Sequence, residues 1–223
     1  MIPRIIHQVW VGPPMPAHLA AFAESWRKLH PDWEYRLWGE DDLRWLANQD
    51  LYDRAEEISP RNVGQYKSNI ARCEIILREG GVYIDSDMEP RRRIDPLIEG
   101  LDAFTAWHRP ERGYRKQYLT NALMGAVPGH PVFASLVEGF AASVEEQAGL
   151  RSIHTTGIRY VTRRVMAEGL LDQITVFPAN YFYPYQAAQA VKYQHLPASH
   201  FRHAWAVHRW NNVVSGGWTG DKA

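Results

Sequence analysis

Two rhythms of apolar residues alternate along the chain. Ile5, Ile6, Val9, Trp10 and Val11 form a β-branched run that stops at Gly12-Pro13-Pro14, the pattern of a buried strand closing on a loop. The spacing then changes: Leu19, Phe22, Trp26 and Leu29 recur three or four apart until Pro31, which predicts a helix over 16–29. Residues 33–38 alternate again as a half-buried strand, after which Asp41 or Asp42 can cap a helix carrying Leu43 and Leu46. The clearest helix runs over 63–79. Ile70, Cys73, Ile76 and Leu77 make its apolar stripe, Arg72 and Glu79 fall among its polar positions, and Gly80-Gly81 stops it.

Directly after those glycines, Val82-Tyr83-Ile84 reads as a short strand ending at Asp85-Ser86-Asp87, and Glu89-Pro90 then turns the chain. Further strands are predicted at 103–107, 121–126, 174–177 and 204–209, with helices at 131–146 and 158–168. Strands alternating with helices imply an α/β fold with a mostly parallel, Rossmann-like sheet covered by helices on both faces. Such sheets bind ligands beyond the carboxyl ends of their strands, which is where the paired acids fall.

Composition narrows the choices. At 223 residues and 45% hydrophobic, residues 1–223 are expected to form one domain, with a flexible tail from about 216. Lys and Arg number 25 and Asp and Glu 25, so no net field favours nucleic acid as a partner. No apolar run of about eighteen residues exists to span a bilayer, which leaves peripheral membrane contact open. The lone Cys73 cannot make an internal disulfide, and Met1-Ile2-Pro3-Arg4 enters a strand instead of a signal-peptide core, so a cytoplasmic location is expected.

Carboxylates two apart on an extended strand point to one side, and a turn just beyond can bring both toward one hard cation. Mg²⁺ or Mn²⁺ in such sites keeps water and substrate phosphate oxygens as its other ligands, so Asp85 and Asp87 predict a phosphorylated substrate. The competing reading is a solvated turn, since Asp-x-Asp is common by chance. The helix stop and apolar strand in front of the pair weigh against it.

Residues 67–77 followed by Gly80-Gly81-Val82-Tyr83-Ile84-Asp85-Ser86-Asp87 resemble the DXD-containing sugar transferases. This family includes fungal outer-chain and sphingolipid mannosyltransferases and bacterial capsule enzymes, with the glucosylating clostridial toxins as distant relatives. Residues 2–12, Ser25-Trp26 and Pro31-Asp32-Trp33-Glu34-Tyr35 extend the likeness over the first half. Residues 121–126, His130-Pro131, Thr155-Thr156-Gly157 and Val207-His208-Arg209-Trp210 resemble weaker later motifs in the right order.

The resemblance implies a GT-A fold and a metal-dependent, retaining transfer of a hexose from a UDP- or GDP-sugar to a glycan, lipid-linked or protein acceptor. It implies Asp87 as the metal ligand, with Asp85 on the metal or on ribose and sugar hydroxyls, and Ser86 between them at the donor. Val9 and Trp10 correspond to the base-binding edge, with Trp10 stacking. Arg72 corresponds to a helix arginine facing the donor sugar. Asn69 stands where the family usually has aspartate, and an amide there can hydrogen-bond a sugar hydroxyl without bringing charge.

His208 is expected as a third metal ligand or a diphosphate contact. His7 reads as a satisfied core residue, and His154 lies between those cases. Arg91-Arg92-Arg93 reads as a solvated face, the basic aromatic segment 108–116 as an acceptor or lid segment, and Ser215 and Trp218 as residues that could close over the donor. Two competing functions are a GT-A relative that binds nucleotide sugar or a partner without turnover, prompted by Asn69, and an aspartyl phosphatase or phosphotransferase. The acid pair's position well inside the chain, behind a long helix, disfavours the phosphatase.

Overall fold

A computed structural model describes residues 1–108 and 117–211; the predicted tail, Ser215, Trp218 and residues 109–116 of the basic segment lie outside the described residues. Six strands build the main sheet: β1 (Ile5–Val9), β2 (Glu34–Trp38), β3 (Gly81–Ile84), β5 (Ala103–Ala106), β6 (Leu123–Ala126) and β7 (Thr175–Phe177). Their order is β2-β1-β3-β6-β5-β7. β1 runs parallel to β2 and β3, and β5 parallel to β7, as the alternation of strands and helices predicts. β6 is the exception, antiparallel to both neighbours. A strand in the reverse sense needs no crossover helix, and with this one exception the sheet is mostly parallel, as expected.

The last predicted strand does not join this sheet. Ala206–His208 (β8) pairs antiparallel with Met88–Pro90 (β4), in the register Met88↔His208 and Pro90↔Ala206. Residues 89–90 are therefore strand and not turn, and this two-stranded ribbon sets a residue from the chain's far end beside the acids.

The sheet separates two cores. Val9, Tyr83, Met124 and Ala126 point into one, against Ile70, Cys73 and Ile76 of helix Val63–Glu79 and Phe133 and Leu136 of helix Pro131–Glu138. Ile6, Val82, Ile84, Leu123 and Phe104 point into the other, against Trp26 of helix Ala17–Leu29 and Phe182. The period-2 alternation of each strand produces this division. Helix 158–168 ends at Ala167, and the expected 131–146 helix divides at Gly139 into Pro131–Glu138 and Phe140–Glu146. The segment after β2 makes only a short 3₁₀ turn, Glu40–Leu43, with the Gly39 N–H donating to Asp42 at 2.8 Å.

Gly80 and Gly81 do two jobs. Gly80 ends helix Val63–Glu79 at φ 68°, a conformation costly for residues with a Cβ. Gly81, at φ 86°, lets β3 approach β1: a Cβ there would lie 2.7 Å from the Ile5 carbonyl oxygen and 2.9 Å from His7 Nε2. His7 itself is a satisfied core residue. Its Nε2–H donates to the Gly80 carbonyl (3.0 Å) and its Nδ1 accepts from Trp38 Nε1–H (3.1 Å). Both ring nitrogens are thus used by the neutral form, and burial pushes the imidazole pKa down to about 4.

Two charged residues on helix Val63–Glu79 are buried, and for Arg72 this departs from its expected polar position. Glu74 accepts N–H groups from Ala47 (2.5 Å) and Asn48 (3.0 Å) and the Asn48 side chain (2.8 Å), which ties down the loop after the 3₁₀ turn. The other is Arg72, which belongs to the site. Among the described residues, no helix is long and apolar enough to cross a membrane.

Candidate active site

β3 ends at Ile84, and the next residues carry the acids to the carboxyl edge of the sheet. The Asp85 N–H donates to the Ala122 carbonyl (2.7 Å), the last sheet-like contact before the chain turns. β4 follows at once, so Asp87 sits where the main sheet hands over to the ribbon. Opposite it, β8 delivers His208. Ligand atoms of Asp85, Asp87 and His208 all lie within 4.8 Å of one another. His208 Nε2 is 3.4 Å from an Asp87 oxygen and 3.9 Å from an Asp85 oxygen.

These groups are not freely solvated: the side chains keep 26% (Asp85), 12% (Asp87) and 9% (His208) of their exposure. Each carboxylate has one oxygen committed to the protein. Asp85 Oδ1 receives the Tyr83 hydroxyl (2.9 Å) and the Arg72 guanidinium (3.1 Å). Asp87 Oδ2 receives the Asn211 N–H (2.9 Å), leaving Oδ1 toward His208. Trp210, in the left-handed region at φ 55°, makes the bend that aims Asn211 at Asp87.

Arg72 is buried and fully engaged. Its guanidinium donates to the Ser68 carbonyl (2.9 Å), Ser68 Oγ (3.0 Å) and the Asn121 carbonyl (2.5 Å), and lies 4.4 Å from the centre of the Tyr83 ring. Burial alone would raise the Asp85 pKa; Arg72, then His208 and Tyr83, overcome that and hold it below the ordinary carboxylate value. Burial would depress His208, but Asp87 and Asp85 outweigh it and raise its pKa. The Trp210 N–H lies 3.3 Å from His208 Nδ1, which orients the ring so that Nε2 faces the carboxylates. Tyr183 stacks on the imidazole with ring centroids 5.3 Å apart, and Trp210 approaches it at 4.3 Å.

Two carboxylate oxygens and an imidazole nitrogen are the donors that suit Mn²⁺ or Mg²⁺. The negative charge is concentrated on oxygens that point to one spot, so these residues fit such an ion. Its remaining positions would be open to water and phosphate oxygens.

The other expected contributors are placed unevenly. Trp10 follows β1 at the same edge, half-exposed, with its Nε1–H donating to the Pro13 carbonyl (2.6 Å) and so tied to the Gly12-Pro13-Pro14 loop. Val9 turns its side chain into the core, leaving only its backbone near the edge. Ser86 is half-buried between the acids. Asn69 is buried with both ends of its amide used: Nδ2 donates to Thr156 Oγ1 (3.2 Å) and Oδ1 accepts from Asn121 Nδ2 (3.0 Å). It joins helix Val63–Glu79 to the segments of Asn121 and Thr156 instead of presenting a free amide.

Tyr83, Asn121, Tyr183 and Asn211 were not singled out as site residues by sequence. Tyr83 was within reach, because a residue two before Asp85 on a strand shares its face. Tyr183 and Asn211 carry no local signal; only the ribbon brings them in.

With this geometry in hand, residues 16–103 match the family described as glycosyltransferase sugar-binding region containing DXD motif, a span that includes Arg72, Asp85 and Asp87. Inositol phosphoceramide mannosyltransferase 3 of Schizosaccharomyces pombe is 31% identical over 138 residues, 61% of this chain and 36% of the relative. Mannosyl phosphorylinositol ceramide synthase SUR1 of Saccharomyces cerevisiae is 33% identical over 60% of this chain and 33% of its own. The chain thus spans about a third of these fungal relatives. An uncharacterized glycosyltransferase, L373, of Acanthamoeba polyphaga mimivirus is 26% identical over 82% of this chain and 75% of its own. Among solved structures, the PaToxG glycosyltransferase superposes with TM-score 0.59 at 14% identity over 75% of this chain and 70% of that one. The galactosyltransferase LgtC, solved with donor and acceptor sugar analogs, gives 0.53 at 12% identity over 98% of each chain. The fold is that of the GT-A glycosyltransferases.

Proposed function

We propose, from the place of residues 16–103 among the glycosyltransferase sugar-binding regions containing a DXD motif, that this chain transfers a hexose from a nucleotide diphosphate sugar to an acceptor with retention of configuration. One observation carries the reading: Asp85, Asp87 and His208, from two distant parts of the sequence, converge within 4.8 Å at the carboxyl edge of β3, with Arg72 bound to the first of them. A solvated turn would have no reason to recruit a buried arginine and a histidine from the chain's far end.

In this mechanism Asp87, Asp85 and His208 would hold a divalent cation. When bound, that ion supplies the positive charge that offsets the departing diphosphate. The protein's own groups set the stage for it. Arg72 and the Tyr83 hydroxyl keep Asp85 ionised and fix its rotamer, and the Asn211 N–H fixes the rotamer of Asp87. Trp10 offers an aromatic face to the base at the neighbouring strand end, and Asn69 acts through Asn121 and Thr156 to shape the wall of the sugar pocket. Displacement on the same face of the sugar needs no side-chain nucleophile. The names of the fungal relatives make a nucleotide-linked mannose the first donor to try and inositol phosphoceramide the first acceptor. The buried, single Cys73 suits a reducing cytoplasm.

The test is to incubate the protein with UDP- and GDP-sugars, with Mn²⁺ or chelator, and follow free nucleotide diphosphate in wild type and Asp87→Ala. Cation-dependent release from one donor, lost by at least about a hundredfold in the variant, is the expected result. A donor that raises the melting temperature without any release would identify a binding module instead. No release and no shift with any donor would refute the reading.

A further inference from the structure

We propose that the face formed by the exit of β4 and the segment before β8 docks on an anionic lipid surface. Many arginines of this protein meet a carboxylate; among those that meet none, Arg61 and Arg163 lie on other segments than a group of three. Arg4, Arg36, Arg44, Arg54, Arg78, Arg93 and Arg164 each meet a carboxylate within 4 Å. Arg91, Arg92 and Arg202 meet none among the described residues, and all three lie together. The Arg91 and Arg92 N–H groups both donate to the Trp205 carbonyl (2.9 and 3.3 Å). The Arg92 side chain donates to the Arg202 carbonyl (2.7 Å) and lies 4.8 Å from the centre of the Trp205 ring. Arg202 is exposed, whereas Arg91 and Arg92 are half-buried, with their Nε atoms buried and without a hydrogen-bond partner. Arg93, the third of the basic run, is the one neutralised, by Asp32 and Asp95.

The sequence reinforces the segregation. In a chain with 25 acids and 25 bases, no Asp or Glu occurs between Asp172 and Asp221. Nothing in that stretch can cancel Arg202 or the exposed Lys192. The surface is also apolar at its tips. Val191 is 69% exposed, and Trp205 and Phe201 are partly so. Tyr193, packed on Phe201 at 6.4 Å, holds the helix Ala190–Tyr193, which carries Val191 and Lys192, beside this face. Cations beside exposed apolar and aromatic groups match a bilayer interface, where headgroup phosphates meet acyl chains. A soluble polyanion would draw on the cations alone.

This inference does not depend on the transfer reaction. The experiment mixes the full chain with phosphatidylcholine vesicles or phosphatidylcholine–phosphatidylserine vesicles, and measures co-sedimentation at low and high salt. Binding is expected only with phosphatidylserine and is expected to fall steeply with salt. Each cation near an anionic leaflet contributes roughly fivefold, so Arg91→Gln, Arg92→Gln and Arg202→Gln together should weaken partition by about a hundredfold. Arg54→Gln, on a carboxylate-paired arginine, should leave it unchanged. Equal binding to neutral vesicles, an effect of Arg54→Gln as large as that of the triple change, or binding to heparin but to no vesicle would overturn the proposal. Failure of the triple variant to fold would show in its circular dichroism, and the wild-type salt dependence then decides alone. Donor hydrolysis in the same vesicle-free sample reports separately on the proposed transferase, and the triple variant should retain it.

Discussion

Replacing Arg72 by methionine keeps an unbranched stem of similar length and removes the charge. The change deletes the 3.1 Å ion pair with Asp85, the donations to Ser68 and Asn121, and the contact with Tyr83. Removing one partner of a fully buried pair costs about 3–5 kcal/mol, mostly because the other charge is left behind. Asp85 keeps 26% of its side-chain exposure, so water recovers part of this and the low end applies, about 3 kcal/mol. In a chain of this size each kcal/mol lowers the melting temperature by about 2–4 °C, which predicts a fall of about 6–12 °C. The melt should be recorded with chelator present, because a bound cation would compensate Asp85. Adding Asp85→Asn to the Met variant should restore part of the loss, since the uncompensated carboxylate is gone. A Met variant within about 2 °C of wild type, or a double variant no more stable than the single, would refute the claim that Arg72 exists to hold Asp85.

Asp87→Asn should abolish the stabilisation by Mn²⁺ seen in a thermal shift while leaving the cation-free fold close to wild type, because Asn still accepts the Asn211 N–H. His208 must lose the Nε2 proton to bind a cation, so Mn²⁺ affinity should weaken as pH falls, and His208→Gln should flatten that dependence. His7 titrates at about 4 in the folded protein and near 6.5 unfolded, so its contribution is complete above 6.5 and is lost as pH falls toward 4. That amounts to about 2 kcal/mol by about pH 5, read by urea denaturation, with the slope reduced in His7→Gln. Trp10→Ala should raise the donor KM by about tenfold with little change in kcat if the ring stacks on the base in ground and transition state alike; an unchanged KM would remove Trp10 from the site.

Local pattern determined much of this protein. The helix at 63–79, its glycine stop, the short strand and the acids at its end follow from spacing and turn chemistry, which act between near neighbours. So did His7 as a core residue. The tertiary structure decided three other things. It reversed β6, because strand direction depends on pairing partners and not on alternation. It buried Arg72, on a position that reads as polar, and with it Glu74, because each finds its counter-groups in segments far along the chain. And it brought His208, Tyr183 and Asn211 to the acids through the β4–β8 ribbon, whose register joins residues 120 apart. Hydrophobic periodicity records which face of an element is buried. It does not record what that face, or a charge upon it, will meet, since the partner is chosen only when the whole chain packs.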